Sequence, residues 1–340
     1  MPSPAPESSQ QVLIIATGGT IAGTAASATD NVGYSAAQLT ADVLVAAVPA
    51  LTGLPIQTVQ LAQLDSKDAG PALWQPLVAT LVRQLSRADV AGIVITHGTD
   101  TLEETAALLQ RVLAPGKPVV LSAAMRPATS LQADGPQNLL DAVAVARTPG
   151  AGGVLVVLAG RVHAADAMRK QDAYRLDAFD SAPAGPVALV EEGLMTPLRP
   201  WPEGGSAGGS PDGSVAPATE SKRLTLLNAV LRRDPAHWPR VAWITSHAGF
   251  DAALVDAAVA AGFHGLVLAG TGNGSLHAEL EAAAERAQRA GVALRLATRC
   301  ASGRVVGQVG RRLEVGRGSG PAQARVHLVL DLLLDGPPHP

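Results

Sequence analysis

Cysteine, aromatic side chains and an excess of either charge are what this sequence has least of. Cys300 is the only cysteine in 340 residues, so no intramolecular disulfide can form and the fold does not rely on an oxidising compartment. It follows the apolar run Val292–Ala297 beside Arg299, where a lone cysteine reads as a buried structural side chain rather than a catalytic thiol. Aromatics make up 3% of the chain, so Ala, Val and Leu must build the core. The formal net charge of -3 gives no basic excess, which argues against nucleic acid and anionic membranes as partners. No apolar run approaches the roughly 18 to 20 residues needed to span a bilayer. Met1–Gln11 is polar and proline-rich, without the basic and apolar regions of a signal peptide. It reads as a disordered tail on a cytoplasmic protein that acts on a small molecule.

What is present is an alternation of short apolar runs with helical patterns. With 47% hydrophobic residues, the chain can bury a substantial core, and its length implies two domains. Apolar runs at Val12–Ala16, Ile56–Leu61, Gly92–Thr96, Pro118–Ala123 and Gly153–Leu158 alternate with helical segments at Thr40–Ala47, Leu73–Leu85, Leu102–Leu113 and Gln137–Ala146. That pattern predicts right-handed βαβ units and a mostly parallel sheet. The larger N-terminal α/β domain is expected over 12–195. A linker rich in Pro, Gly, Ser and Ala is expected over 196–221. A smaller C-terminal α/β domain then takes 222–340, with strands at Val241–Thr245, Gly265–Leu268 and Val292–Ala297 and a last helix over Ala324–Leu334.

Two glycine-bearing turns follow two of the strand-like runs, Thr17-Gly18-Gly19-Thr20 and His97-Gly98-Thr99-Asp100. Both therefore fall at carboxyl ends of strands, the edge where open α/β sheets bind ligands at a switch in strand order. A threonine hydroxyl needs help to lose its proton, and acyl transfer needs donors for the oxyanion. Lys170 is a candidate base provided it is neutral, which partial desolvation favours, and Asp100 is placed to orient it. Tyr34, in the long polar stretch Ile21–Ser35, has the setting of a lid residue. The amides of Gly98 and Thr99 are candidate anion donors. Plainer readings exist for each residue. Tyr34 packs where the loop rejoins the domain, Arg169-Lys170 is a solvated face, and Asp65-Ser66-Lys67-Asp68 caps a helix. Asp100 with Glu103, or Thr101 with Glu104, makes a capping box, and His97 is a satisfied core histidine. Neither a phosphate-binding loop nor GxGxxG spacing is present.

Ile15–Gly23 (IATGGTIAG) and Ile95–Thr105 (ITHGTDTLEET) resemble the two signatures of the bacterial L-asparaginase and glutaminase-asparaginase family. Ala124-Met125-Arg126-Pro127, Ala133-Asp134-Gly135-Pro136 and Gly270-Thr271-Gly272-Asn273-Gly274 also look like family segments. The resemblance covers nearly the whole chain. It implies Thr20 as nucleophile, Tyr34 as lid tyrosine, Thr99, Asp100 and Lys170 as the second catalytic group, and Ser66, Lys67 and Ala124 at the substrate. It further implies a homotetramer of intimate dimers, no metal or cofactor, and hydrolysis of L-asparagine to L-aspartate and ammonia. A dual glutaminase-asparaginase and a silent amino-acid-binding module are the alternatives. Lys67 stands where the family often has Gln or Glu. Some members also take a glutamate from a neighbouring subunit, and between Thr298 and Gly320 the only acid here is Glu314.

Overall fold

Buried, β-branched runs become parallel strands because both faces of each must be covered. In the computed structural model, which describes residues 10–202, 217–306 and 313–335, β1 (Gln11–Gly18), β2 (Ile56–Leu64), β3 (Val90–Thr96), β4 (Val119–Ser122) and β5 (Val154–Leu158) pair in parallel. Their crossovers contain α1 (Ala41–Ala46), α2 (Pro71–Leu85), α3 (Leu102–Leu113) and α4 (Gly135–Ala146). β6 (Arg161–Ala164) reverses direction against β5. After the short ribbon of β7 (Arg169–Lys170) and β8 (Phe179–Asp180), β9 (Ala188–Glu191) and β10 (Leu194–Pro197) extend the same sheet. Its order is β10-β9-β6-β5-β4-β3-β1-β2. The chain steps from β1 to β2 on one side and then crosses to β3 on the other. The switch in strand order thus lies between β1 and β3.

Alternate side chains of each strand feed opposite faces. Leu13, Ile15, Ile93 and Ile95 pack with α2 and α3, while Val12, Ile14 and Val94 pack with α1 and α4. The chain then forms α5 (Pro217–Arg232) and a second sheet of β11 (Val241–Thr245), β12 (Gly265–Gly270) and β13 (Ala293–Thr298), all parallel. α6 (Ala253–Ala260) and α7 (Ala278–Arg289) cover one face of it. The last helix, α8 (Pro321–Asp335), is buried almost all round and joins the core of the first sheet to Val241, Val267 and Ala297 of the second. A helix buried on nearly every side belongs between two layers.

Several elements differ from the sequence reading. Gln11 belongs to β1 and not to a tail, since its amide donates to Asp89 O (2.8 Å), whereas residues 1–9 lie outside the described residues. β2 continues past its apolar run because β1 keeps pairing with it up to Gly18↔Leu64. α5 begins at Pro217, inside the stretch read as linker, and packs on α2, α3 and α8. Residues 203–216 of that stretch are outside the described residues. Cys300 is exposed instead of buried, because it lies past the end of β13. No capping box forms at α3, whose Thr101 makes no side-chain cap bond. Thr101 Oγ1 donates instead to Ser66 O (2.8 Å). Among the described residues no helix is long and apolar enough to cross a membrane.

Candidate active site

Three turns meet where β1, β2 and β3 end. Gly18 and Gly19 have φ of 109° and 81°, a region that side chains resist. Space imposes the same requirement: a Cβ on Gly19 would strike the Gly98 backbone, and one on Gly98 would strike Ser66 Oγ. Gly19 N also donates to Leu64 O (3.0 Å), which brings the start of the Asp65–Asp68 turn against the other two. The glycines are therefore what lets hydroxyls from three strands crowd together. Thr17, the first threonine of its motif, donates to Thr96 O (2.8 Å) and ties β1 to β3.

Thr20 is buried, and its Oγ1 lies 2.7 Å from Tyr34 OH. Tyr34 is carried there by a loop that closes on itself through Thr24 N to Ser35 O and Ser35 N to Thr24 O, both 2.9 Å. A second loop supports it. Ser130 Oγ donates to Asn31 Oδ1 (2.6 Å), Leu131 N to Ala28 O (2.9 Å) and Ala25 N to Thr129 Oγ1 (2.8 Å).

Beside this pair, Lys170 Nζ donates to Thr99 Oγ1 (2.9 Å) and Asp100 Oδ1 (2.7 Å). Ser66 is buried and its Oγ accepts the Asp100 amide (3.2 Å). The amides of Thr20, Gly98 and Thr99 find no acceptor among the described residues. Buried N–H groups without partners are rare and suit an anion or oxyanion. The Lys67 ammonium is paired within its own turn, with Asp65 at 2.5 Å and Asp68 at 3.6 Å. Asp65 also accepts the Lys67 amide, so the turn is capped as its sequence suggests. Ala124 is buried after β4, and a Cβ on Gly135 would come 3.5 Å from its own. Glu314 pairs with Arg295 at 3.3 Å.

His97 is a core histidine. It is fully buried between Gly98 O (2.8 Å) and Thr105 Oγ1 (3.1 Å), which also accepts from Trp74 Nε1. Burial pushes its pKa down, so the ring stays neutral. Two residues without an assigned role emerge. Asp134 accepts the Met125 and Arg126 amides (3.0 and 2.9 Å) and fixes the loop carrying Ala124; its buried setting raises its pKa. Glu103 leaves the expected cap and accepts the Lys170 amide at 3.3 Å. The sequence signal for both was an acid beside a motif, a pattern that also describes ordinary caps. A cavity of about 860 Å³ lies elsewhere, between α3, α5 and α8, and none of the hydroxyl-bearing site residues lines it.

A two-domain α/β fold with hydroxyls, an acid and a lysine gathered at the switch point is the architecture of an amide-hydrolysing class. Residues 11–201 match the family model described as "Asparaginase, N-terminal", and residues 240–332 match "Glutaminase/Asparaginase C-terminal domain". The chain belongs to the bacterial L-asparaginase family. It is 33% identical over 327 residues to L-asparaginase 2 of Bacillus subtilis (strain 168), covering 94% of this chain and 82% of that protein. To the glutaminase-asparaginase of Pseudomonas fluorescens biotype A it is 34% identical over 284 residues, 83% of this chain and 73% of the relative. The crystal structure of a probable cytoplasmic L-asparaginase from Campylobacter jejuni superposes with a TM-score of 0.80 at 30% identity, over 95% of both chains.

Proposed function

We propose that the protein hydrolyses the side-chain amide of L-asparagine to L-aspartate and ammonia, with Thr20 as the nucleophile. The observation that carries this reading is the 2.7 Å contact of Thr20 with Tyr34 beside the Thr99–Lys170–Asp100 cluster. Thr20 Oγ attacks the amide carbon and its proton passes through Tyr34 OH. The oxyanion is received by the amides free to donate. Collapse expels the nitrogen, protonated as ammonia, and leaves an ester on Thr20. Water attacks the ester beside Thr99, its proton passing through the Thr99 hydroxyl to the Lys170–Asp100 pair, and aspartate is released. Ser66 contacts the substrate, Ala124 bounds the amide end, and Lys67 lies at the rim with its charge already engaged by Asp65.

A second reading, a dual glutaminase-asparaginase, is favoured by the likeness to the Pseudomonas enzyme. One methylene in a pocket is worth only about 1 to 3 kcal/mol. Ammonia release from L-asparagine, L-glutamine and D-asparagine in parallel, with Thr20→Ala as control, tests both. A folded Thr20→Ala protein with near-normal turnover removes the first reading, and comparable L-glutamine turnover establishes the second. The assembly belonging to this reading is a homotetramer of intimate dimers, checked by light scattering. Its compartment is the cytoplasm, as stated for the Campylobacter protein. The Haemophilus influenzae relative, 34% identical over 270 residues, is described as periplasmic, so cell fractionation decides.

A further inference from the structure

We propose that Glu103 is a positioning residue that holds Lys170 in register with Thr99 and Asp100, and that its ionisation sets the pH at which the site becomes competent. The proposal rests on the role given to Lys170 above. The start of α3 grips this lysine at both ends: Thr99 and Asp100 take its ammonium at 2.9 and 2.7 Å, and Glu103 Oε2 takes its backbone N–H at 3.3 Å. Lys170 needs that grip because β7 is a two-residue strand paired only with β8. On its other flank, Gln323 of α8 donates to Ala165 O and Met168 O, both 2.9 Å. Arg169 Nη1 donates to Cys300 O at 2.9 Å. The base is thus suspended between α3 and the second domain, and Glu103 is the carboxylate inside that suspension.

The charged groups that face Glu103 are Arg169 and Lys170 from β7 and Glu104 from its own helix. Glu104 is itself paired with Arg325 of α8 at 2.5 Å. Burial dominates, pushing the carboxyl up to about 7, with Arg169 as the main opposing influence. An ionised carboxylate accepts the amide more strongly than a neutral acid. Arg169, beside Lys170 on β7, faces the same carboxylate, so the gain from ionisation is one of position. Activity therefore rises with pH as Glu103 ionises.

The test is kcat and KM for L-asparagine between pH 5.5 and 8.5 for the wild type, Glu103→Gln, Arg169→Gln and Lys170→Met, with folding verified by circular dichroism. Wild-type kcat should rise through an inflection near 7. Glu103→Gln keeps an acceptor of the same shape but cannot titrate. It should lose the inflection, hold KM, and show kcat lowered roughly tenfold at pH 8, as small misplacements of a reacting group do. Arg169→Gln should move the inflection to higher pH. A wild type without the inflection, or a Glu103→Gln profile that superimposes on it, overturns the proposal. Lys170→Met with wild-type turnover instead overturns the role of the lysine itself, a separate result.

Discussion

Thr20 and Thr99 end adjacent strands of one sheet and are almost equally buried, yet they have been given opposite surroundings. The Thr20 hydroxyl meets one phenol on a loop, whereas the Thr99 hydroxyl meets the Nζ of a lysine held by a carboxylate. The strands and their glycine turns place both hydroxyls on backbone packed so closely that a Cβ at Gly18, Gly19 or Gly98 would clash. Their partners arrive from different places: Tyr34 from a loop pinned by hydrogen bonds, and Lys170 from a two-residue strand between domains. The same side chain is thereby split into two roles. Under the proposed function the first is the nucleophile, its proton moving along a hydroxyl pair, and the second is the hydroxyl beside the lysine that handles water.

The largest effect expected is from Thr20→Ala and Thr99→Ala, each lowering kcat by about 10³-fold or more, as removal of a member of a catalytic group does in other acyl-transfer enzymes. The comparison predicts how they differ. With Thr20→Ala no covalent ester can form, so mass spectrometry of a quenched reaction shows unmodified protein. Thr99→Ala should accumulate the ester, because the second step is the one impaired. Accumulation of an ester in Thr20→Ala, with none in Thr99→Ala, would exchange the two roles.

Glu103 supplies the next effect, on stability. Its carboxyl rises from an ordinary 4.5 to about 7 in the fold. A raised acid binds protons more tightly when native, so its penalty is absent below 4.5 and complete above about 7. That gap corresponds to about 3 kcal/mol, to order of magnitude. Glu103→Gln should therefore be more stable than wild type at pH 8 and indistinguishable at pH 4.5, measured by urea unfolding. Buried His163 and His327, each depressed to about 4, destabilise both proteins equally as pH falls below the ordinary histidine value. A stabilised but slower enzyme would show that the acid is kept at a cost for function.

The parallel strands, their order of appearance and both glycine turns were legible in the sequence, because period and punctuation are local. Thr20, Thr99 and Asp100 were legible too, since each sits within a few residues of such a turn. Lys170 and Tyr34 gained their candidacy chiefly from the family resemblance, as nothing local says that residue 170 returns to residue 99. Glu103 was read as a cap because an acid in the first turn of a helix is stabilised by the helix dipole wherever it points. Only the β7 backbone beside it shows a second use. The role of α8 as the wall between two sheets was equally hidden, since a single apolar helix does not announce how many layers it serves.

Tyr34→Phe tests the Thr20 half with a smaller effect. Loss of the hydroxyl leaves ring packing in place, so aspartate binding should change little while kcat falls about 10²-fold, the scale of a lost proton carrier. Equal losses in kcat and in aspartate affinity would mean that the ring positions substrate and Thr20 surrenders its proton elsewhere.

Smallest is Ser130→Ala, which reaches the same hydroxyl pair through the loop beneath it. Ser130 Oγ donates to Asn31 Oδ1 (2.6 Å) and accepts from Gln132 N (3.0 Å), a net contribution of about 1 kcal/mol. Loosening this pin samples open positions of the Tyr34 loop without touching either threonine. KM should rise a few-fold at nearly constant kcat if the loop closes fully once substrate is bound, because binding then supplies the lost order. If kcat falls and KM stays constant, the pin is needed during the chemical step itself, and the phenol is held in place by Ser130 as firmly as the threonine is by its glycines.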